Sequence, residues 1–159
     1  MELGQTLLDM GAKIVGLKIG DRGLYLRTAN AAVLAEMGRC QLKDVVSWSH
    51  RELWAPCFST QVVGTTGSGD ATIAGFLMGL LRGMTPEETL QAACAVGACN
   101  VEAVDALSGI RSWPETAERI TAGWPRLPVA LDLAKAGWLW DSRHEVWAGP
   151  MNYEAPAAR

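Results

Sequence analysis

The sequence predicts a mixed α/β domain in which a small sheet packs against helices. Two strand-like segments, 13–19 and 24–27, flank the turn Gly-Asp-Arg-Gly at 20–23 and together resemble a hairpin. Further along, two helical patterns follow each other at 69–82 and 85–104. Strand pairs followed by packed helices are typical of domains built from a sheet layer and a helix layer.

The composition limits the class of protein. The chain has 159 residues, of which 49% are hydrophobic and 19% charged, so it can bury the core of one domain. A net charge of −3 argues against a nucleic-acid partner. Apolar stretches are too short to cross a membrane, and the acidic N-terminus does not resemble a secretory signal. We therefore predict neither a nucleic-acid nor a membrane partner.

Cysteine and histidine usage predicts free thiols and no metal site. No two cysteines have Cys-x-x-Cys spacing, and the two histidines lie far apart in the sequence. Free thiols suit a reducing compartment, so we predict a cytoplasmic location. The four cysteines are Cys40, Cys57, Cys94 and Cys99.

The first half of the chain carries weaker signals around the hairpin. Residues 3–10 have helical apolar spacing that Gly11 ends. Residues 28–50 show no clear period and are predicted to hold a loop and one strand. Residues 53–63 suggest strands that Pro56 interrupts.

Three helices are predicted in the second half. The first spans 69–82 and ends at Gly83, and the second begins with the capping box Thr85-Pro-Glu-Glu88 and runs to about Val104. The many small residues of the second helix imply close approach to another element. A third helix begins near Pro114. The apolar stripe of the first helix consists of Ala71, Ala74, Leu77, Met78 and Leu81.

A tryptophan-rich tail follows the helices. Residues 123–159 contain tryptophans at 124, 138, 140 and 147, and they end in a polar stretch with alanine and proline that we expect to fray. A stacking platform for a base or sugar is one interpretation of the tail, and a small satellite core is the other. The predicted organisation is a body over residues 1–122 with the tail 123–159 packing on it.

The glycine-rich turn Gly64-Thr-Thr-Gly-Ser-Gly69 directly precedes the first helix. It matches the first half of a P-loop, but Asp70 and Ala71 stand where a P-loop has Lys and Ser/Thr. Because an acid there would repel phosphate, a P-loop NTPase is disfavoured. The start of a helix still leaves N–H groups that carry partial positive charge, and glycines let the backbone approach an anion.

A site that stabilises negative charge beside an acid suits phosphoryl transfer to a hydroxyl group. The amides would hold charge on the phosphoryl oxygens, and Asp70 would accept the proton of the attacking alcohol. The alternative is that Asp70 only complements the helix dipole, which stabilises a helix by about 0.3–1 kcal/mol.

The stretch GTTGSGDATIAGFLMGLL resembles the second signature of the ribokinase-like (PfkB) family of carbohydrate and nucleoside kinases. The matching residues are Thr65, Gly67, Gly69 and Asp70, with Ser68 in place of alanine. The resemblance implies a ribokinase-like, Rossmann-like layered fold and an ATP-dependent phosphotransferase acting on a sugar-type substrate, with ATP and Mg²⁺ as cofactors. It also implies that Asp70 is the general base and that the amides from Gly67 to Asp70 form an anion hole.

Two neighbouring stretches extend the resemblance. LKIGDRGLYLR is similar to a family strand and hairpin in which Gly20 and Gly23 edge the nucleotide site. Lys18 in this strand is a candidate phosphate contact, with a plain surface residue as the alternative. CAVGACNVEAVDALSGI is similar to the helix and loop that border the adenine. It offers three candidate nucleotide contacts, for which helix packing or a plain loop is the alternative: Asn100, Ala103 and Ser108.

The departures from the family pattern limit the functional prediction. Gly64 stands where the signature has an acid that is often tied to a monovalent cation, which puts cation activation in question. No Asn-x-x-Glu motif lies ahead of Lys18. The resemblance covers about residues 10–122, so the chain looks like only the C-terminal, nucleotide-binding half of the fold. The alternative function is a catalytically incompetent nucleotide-binding or assembly module, and its exposed strand edges predict a homo-oligomer.

Several other polar residues receive provisional assignments. Cys57 is either a reactive thiol or an ordinary buried cysteine. Glu87 and Glu88 are assigned to helix capping. Glu102 and Asp105 are expected to be exposed to solvent.

Overall fold

A five-stranded sheet packs against helices in the computed structural model, which describes residues 2–129 and 131–152. This architecture confirms the mixed α/β prediction. The described elements are α1 (Glu2–Asp9), β1 (Ile14–Lys18), β2 (Leu24–Thr28), α2 (Ala31–Leu34), α3 (Val45–Trp48), β3 (Glu52–Ala55), α4 (Ser68–Arg82), α5 (Pro86–Asn100), α6 (Trp113–Thr121), β4 (Leu139–Asp141) and β5 (Val146–Ala148).

The sheet has the strand order β1-β2-β3-β5-β4, and its strand pairs are antiparallel. The predicted hairpin is confirmed as β1 and β2, in which Ile14 pairs with Thr28 and Lys18 with Leu24. A Rossmann-like sheet would contain parallel pairs, and none occurs among the described strands. Gly23 adopts a φ of 109° beside the backbone of Ala55, so this turn requires a glycine.

The two central helices, α4 and α5, pack closely through small residues, as predicted for α5. A Cβ built on Gly75 would lie 2.9 Å from the Ala92 oxygen, and one built on Gly79 would lie 3.0 Å from the Thr89 Cα. Most of the apolar stripe predicted for α4 is not its buried face: Ala71 is buried, but Leu77 and Leu81 are exposed. The buried residues of α4 are Ala71, Gly75, Gly79 and Leu80.

The region between β2 and α4 differs from the sequence prediction. Residues 28–50 form two short helices, α2 and α3, whose first turns are capped by Asn30 and Asp44, and the strand predicted there is wrong. Helices of four residues are too short to show a periodic apolar pattern, and the side chains that cap them are their main sequence signal. Strand β3 ends just before Pro56, as the sequence suggests, but the strand predicted after Pro56 is wrong, since among the described residues 57–63 only Phe58 forms an isolated bridge, with Arg126.

The provisional assignments of three acids can now be judged. Glu88 forms the predicted capping box with Thr85, whereas Glu87 is buried and pairs with Arg51, so its assignment to capping is wrong. Glu102 is mostly buried between helices instead of exposed, because Arg119 and Arg111 bind its carboxylate.

The tail from residue 123 is part of the folded sheet. Strands β4 and β5 form a hairpin, and β5 pairs with β3. The prediction of a small satellite core under the tail is confirmed by a second apolar cluster, separate from the main core between sheet and helices. The fraying predicted for the chain end concerns residues 153–159, which lie outside the described residues. The second cluster consists of Tyr25, Trp54, Leu133 and Trp138.

The structure also bears on thiols and membrane association. All four cysteines are free, as predicted. Across residues 2–129 and 131–152, no helix combines the length and the apolar character needed to cross a bilayer.

Candidate functional site

A cavity of about 340 Å³ lies between the β1–β2 hairpin, the loop after β3, the first turn of α4 and the second half of α5. Its volume falls within the range of small-molecule sites, about 300–1,000 Å³. Its walls are mainly apolar away from α4 and Lys18. Among its lining residues are Lys18, Gly20, Asp21, Gly23, Cys57, Phe58, Thr65, Ser68, Gly69, Thr72, Cys94, Gly97 and Leu127.

One end of the cavity is formed by the N-terminus of α4. Gly67 precedes the helix with a φ of 75°, a conformation that favours glycine. A Cβ at this position would also lie 2.7 Å from Ala106 Cβ. Ser68 and Gly69, which follow it, line the cavity. The unpaired N–H groups of a first helical turn carry partial positive charge, so this end of the cavity suits an anion.

Lys18 brings a full positive charge to the same end. It is the last residue of β1, and its ammonium lies over the start of α4: a Cβ built on Gly69 would be 2.5 Å from Lys18 Nζ. The absence of a side chain at residue 69 makes this approach possible. The structure therefore joins an ammonium group and a helix N-terminus at one point, and each favours a bound anion such as a phosphate.

Asp70 lies in the first turn of α4 and is exposed. Within the described residues its carboxylate has neither a hydrogen-bond nor an ion-pair partner, so no structural contact there occupies it. It does not line the cavity, although Ser68 and Gly69 beside it do. An acid in this position is available to a second reactant that approaches the anion site from outside the cavity.

Comparison with known proteins identifies the family. The model of the pfkB family carbohydrate kinases matches residues 2–113, which is well over half of the chain. The chain belongs to the pfkB family of carbohydrate kinases.

Individual relatives agree with this assignment. An uncharacterized sugar kinase of Archaeoglobus fulgidus is 32% identical over 106 residues, which make up 67% of this chain and 34% of the relative. The ribokinase of Thermotoga maritima matches with a TM-score of 0.57 at 25% identity, over 76% of this chain and 34% of that one. A putative ribokinase II from E. coli in complex with ATP and Mg²⁺ matches with a TM-score of 0.59 at 20% identity, over 74% of this chain and 32% of that one.

These matches confirm the ribokinase-like fold class. They also show that the chain spans about a third of the length of the pfkB kinases it matches.

Some of the residues that the family resemblance implies for the nucleotide site come together. Gly20, Gly23 and Thr65 line the cavity with Lys18 and the start of α4.

The other implied nucleotide contacts lie elsewhere. Asn100 is completely buried, and its amide donates a hydrogen bond to the Ala106 oxygen at 2.7 Å. The Ser108 hydroxyl donates to Asp105, and neither Ser108 nor Ala103 lines the cavity. These residues shape the loop after α5, so the structure does not support direct nucleotide contact for them.

The loop after α5 packs against the glycine-rich turn at Gly64. A Cβ built on Gly64 would lie 2.8 Å from the backbone oxygens of Ala103 and Val104. There is no room for a side chain at residue 64 unless the loop moves. This packing gives a physical reason for the glycine that replaces the acid of the pfkB signature.

Sequence analysis missed the part of the cavity that comes from the tail. Leu127 lines the cavity, and its N–H donates to the Cys57 oxygen at 2.7 Å. Arg126 stacks on Phe58, with its guanidinium carbon 3.6 Å from the ring centre. No local periodicity signals these contacts, because each joins segments far apart in the chain.

Proposed function

We propose that this chain is the nucleotide-binding part of an ATP-dependent carbohydrate kinase that transfers the γ-phosphoryl group to a hydroxyl of a sugar or sugar derivative. The observation that carries the proposal is the convergence of Lys18 and the first turn of α4 at one end of the cavity. Asp70 lies in the same turn, and its carboxylate has no partner among the described residues. Membership of the pfkB family supports it. We also propose that the protein is cytoplasmic.

We place an adenine nucleotide in this cavity because the cavity has apolar walls and a positively charged end. Its apolar walls, which include Phe58 and Leu127, suit a purine base, and the glycines at 20 and 23 keep the hairpin side open. The phosphates would then extend toward Lys18 and the amides of α4. We propose that Gly67, Ser68 and Gly69 would supply these amides and stabilise charge on the transferring group. The Ser68 N–H donates to the Thr65 oxygen at 3.2 Å, so it would have to share or exchange that hydrogen bond on binding phosphate.

Asp70 is proposed as the general base. Its carboxylate would accept the proton of the sugar hydroxyl as that oxygen attacks phosphorus, which is worth about 10²–10⁴ in rate. Because Asp70 lies outside the cavity lining, the sugar would approach from the side opposite the base-binding part. We propose that residues beyond these 159 complete the sugar site, since the relatives are about three times as long.

Magnesium is expected to accompany the nucleotide. Within the described part of the chain, no three His, Cys, Asp or Glu side chains cluster in a way that could hold a metal ion. Mg²⁺ is commonly held by substrate phosphates, water and one or two carboxylates, so the residues present are compatible with it. When bound, it would supply positive charge to the phosphate oxygens.

A second candidate function is a catalytically incompetent nucleotide-binding or assembly module that forms a homo-oligomer. One face of α4 supports it, because Ile73, Leu77 and Leu81 are 39%, 49% and 72% exposed. Contiguous apolar side chains on a surface are typical of interaction sites. Light scattering distinguishes the cases: a monodisperse monomer would exclude self-association.

The nucleotide site is tested by calorimetric titration of ATP into the 159-residue chain. Lys18→Gln removes the ammonium from the anion site and should weaken binding about tenfold, with a difference that shrinks as salt rises. Lys135→Gln is the matched control, since Lys135 is exposed in the tail and pairs with Asp132. Equal affinities of wild type and Lys18→Gln would contradict the site.

The catalytic assignment is tested with Asp70→Asn in the longest reading frame that encodes this chain. Phosphorylation of a panel of sugars should fall about 10²–10⁴-fold while ATP affinity stays unchanged. Glu118→Gln, on the exposed face of α6, should leave both unchanged. A normal rate with Asp70→Asn would contradict the general-base assignment. ATP binding without transfer by the unmodified protein would favour the second candidate.

A further inference from the structure

Two thiols share the nucleotide cavity. Cys57 comes from the loop after β3 and Cys94 from α5, and both line the cavity. The Cys57 thiol donates to the Gly20 oxygen at 3.5 Å, and the Cys94 thiol donates to the Ala55 oxygen at 3.7 Å, two residues before Cys57. Cys57 is partly exposed and Cys94 is buried, so reagents in the cavity would meet Cys57 first.

The surroundings favour the reactive form of Cys57. The neighbouring Cys94 thiol is the main cause that lowers the pKa of Cys57, against the opposing effects of burial and of Asp21, and the same neighbour and burial raise the pKa of Cys94. Arg126 adds positive charge to this region, and its guanidinium is fixed beside Cys57 by a 3.0 Å hydrogen bond to the Pro56 oxygen. A thiolate is the nucleophilic form of cysteine, and neighbouring cations promote it.

We propose that Cys57 and Cys94 form a redox-sensitive dithiol that closes a disulfide across the wall of the cavity when the protein meets a peroxide. Only the consequence for ATP binding rests on the proposed function. The other two cysteines are excluded by their positions: Cys99 is directed toward Arg119, and Cys40 does not line the cavity.

The reaction balances with hydrogen peroxide as the oxidant. The Cys57 thiolate attacks one peroxide oxygen, the O–O bond breaks, and the departing hydroxide takes a proton to become water. The Cys94 sulfur then attacks the sulfenic acid of Cys57, forming the S–S bond, and the released hydroxide takes the Cys94 proton to give a second water. Two thiols are oxidised and one peroxide is reduced.

The bond would change the shape of the cavity. An S–S bond is about 2.05 Å long, so closing it draws the loop that carries Cys57 and Phe58 toward α5. This movement narrows the apolar part of the cavity, where we place the purine base. Oxidation is therefore expected to weaken nucleotide binding and reduction to restore it.

The disulfide is tested by peptide mapping after peroxide treatment and blocking of remaining thiols with N-ethylmaleimide. Trypsin should release residues 52–82, with Cys57 as their one cysteine, and residues 83–111, which contain Cys94 and Cys99. In a Cys99→Ala background, we expect these peptides joined, lighter than their sum by two hydrogen atoms, and separated by dithiothreitol. The joined species should be absent from Cys57→Ser and Cys94→Ala variants. Failure to form it at peroxide concentrations that oxidise Cys40 would overturn the proposal.

ATP titration supplies the second readout on the same Cys99→Ala protein. Oxidation should weaken ATP binding at least about tenfold and reduction should restore it, whereas Cys57→Ser should bind ATP equally with and without peroxide. A joined peptide pair with unchanged ATP affinity would overturn the effect on the cavity. If the reduced protein does not bind ATP at all, the proposed function fails, while the peptide map still decides whether the dithiol forms.

Discussion

The ammonium of Lys18 lies directly over the backbone of Gly69, so that a Cβ built at residue 69 would be 2.5 Å from Nζ. The two residues belong to different elements, the end of β1 and the first turn of α4. Their contact concentrates positive charge at one end of the cavity. A methyl group added at residue 69 would therefore disturb anion binding while leaving the fold intact.

Gly69→Ala should fold normally and bind ATP about tenfold more weakly. The backbone at residue 69 is helical, and alanine is favoured over glycine in a helix by up to about 1 kcal/mol. The added methyl would push the Lys18 ammonium away and keep phosphate from the amides. Gly16→Ala is the control, because a Cβ at residue 16 meets open space. Unchanged ATP affinity of Gly69→Ala, with thermal melting to confirm folding, would contradict the anion site.

Local signals explain most of what could be predicted from the sequence. The capping box of α5, the turn before α4 and the β1–β2 hairpin each depend on residues within a few positions of one another. Contacts between distant segments are different, because no spacing in the sequence identifies the partner. Glu87 shows this clearly: its place in the first turn of α5 suggested capping, whereas its partner Arg51 precedes β3.

Glu87→Gln should destabilise the fold more than Glu88→Gln. Arg51 and Glu87 are both buried, and losing a hydrogen bond to a charged group costs about 1.5–3 kcal/mol. Glutamine can also accept the Thr85 N–H at this position of a capping box, so Glu88→Gln should cost less than about 1 kcal/mol. Urea denaturation of the two variants measures the difference directly. A larger loss for Glu88→Gln would show that the buried pair contributes less than its burial suggests.

The loop after α5 shows how a family resemblance can place residues near a site without assigning their roles. Asn100 and Ser108 hold the loop through hydrogen bonds to the Ala106 oxygen and the Asp105 carboxylate. The loop backbone in turn leaves no space for a side chain at Gly64. The resemblance therefore drew attention to residues near the cavity, but only three-dimensional contacts distinguish a residue that lines the cavity from one that supports the turn.

The stability of this region should depend on pH through Glu102. Hydrogen bonds from Arg119, and after them those from Thr60 and Arg111, lower the pKa of Glu102 from 4.5 to about 2. A lowered folded-state pKa means that the stabilisation is present above pH 4.5 and is lost as pH falls toward 2. Glu102→Gln should therefore cost about 1–3 kcal/mol at neutral pH and progressively less in acid.

Denaturant titrations of wild type and Glu102→Gln at about pH 7 and about pH 3 measure this effect. Glu118→Gln serves as the control, since Glu118 is exposed on the neighbouring α6. A stability difference between wild type and Glu102→Gln that is the same at both pH values would contradict the assignment.

Two tryptophans of the tail should differ sharply in their contribution to stability. Trp138 is 1% exposed and packs against Tyr25 and Trp54, with ring centres 6.2 and 6.1 Å away. Trp140 is 43% exposed, and its ring centre lies 5.3 Å from that of Trp147. Trp138→Ala should cost about 3–5 kcal/mol, whereas Trp140→Ala should cost about 0.5–1.5 kcal/mol. Equal and small losses of unfolding free energy in urea would show that the tail does not form part of the cooperative fold, because the two substitutions are chemically identical and differ only in burial.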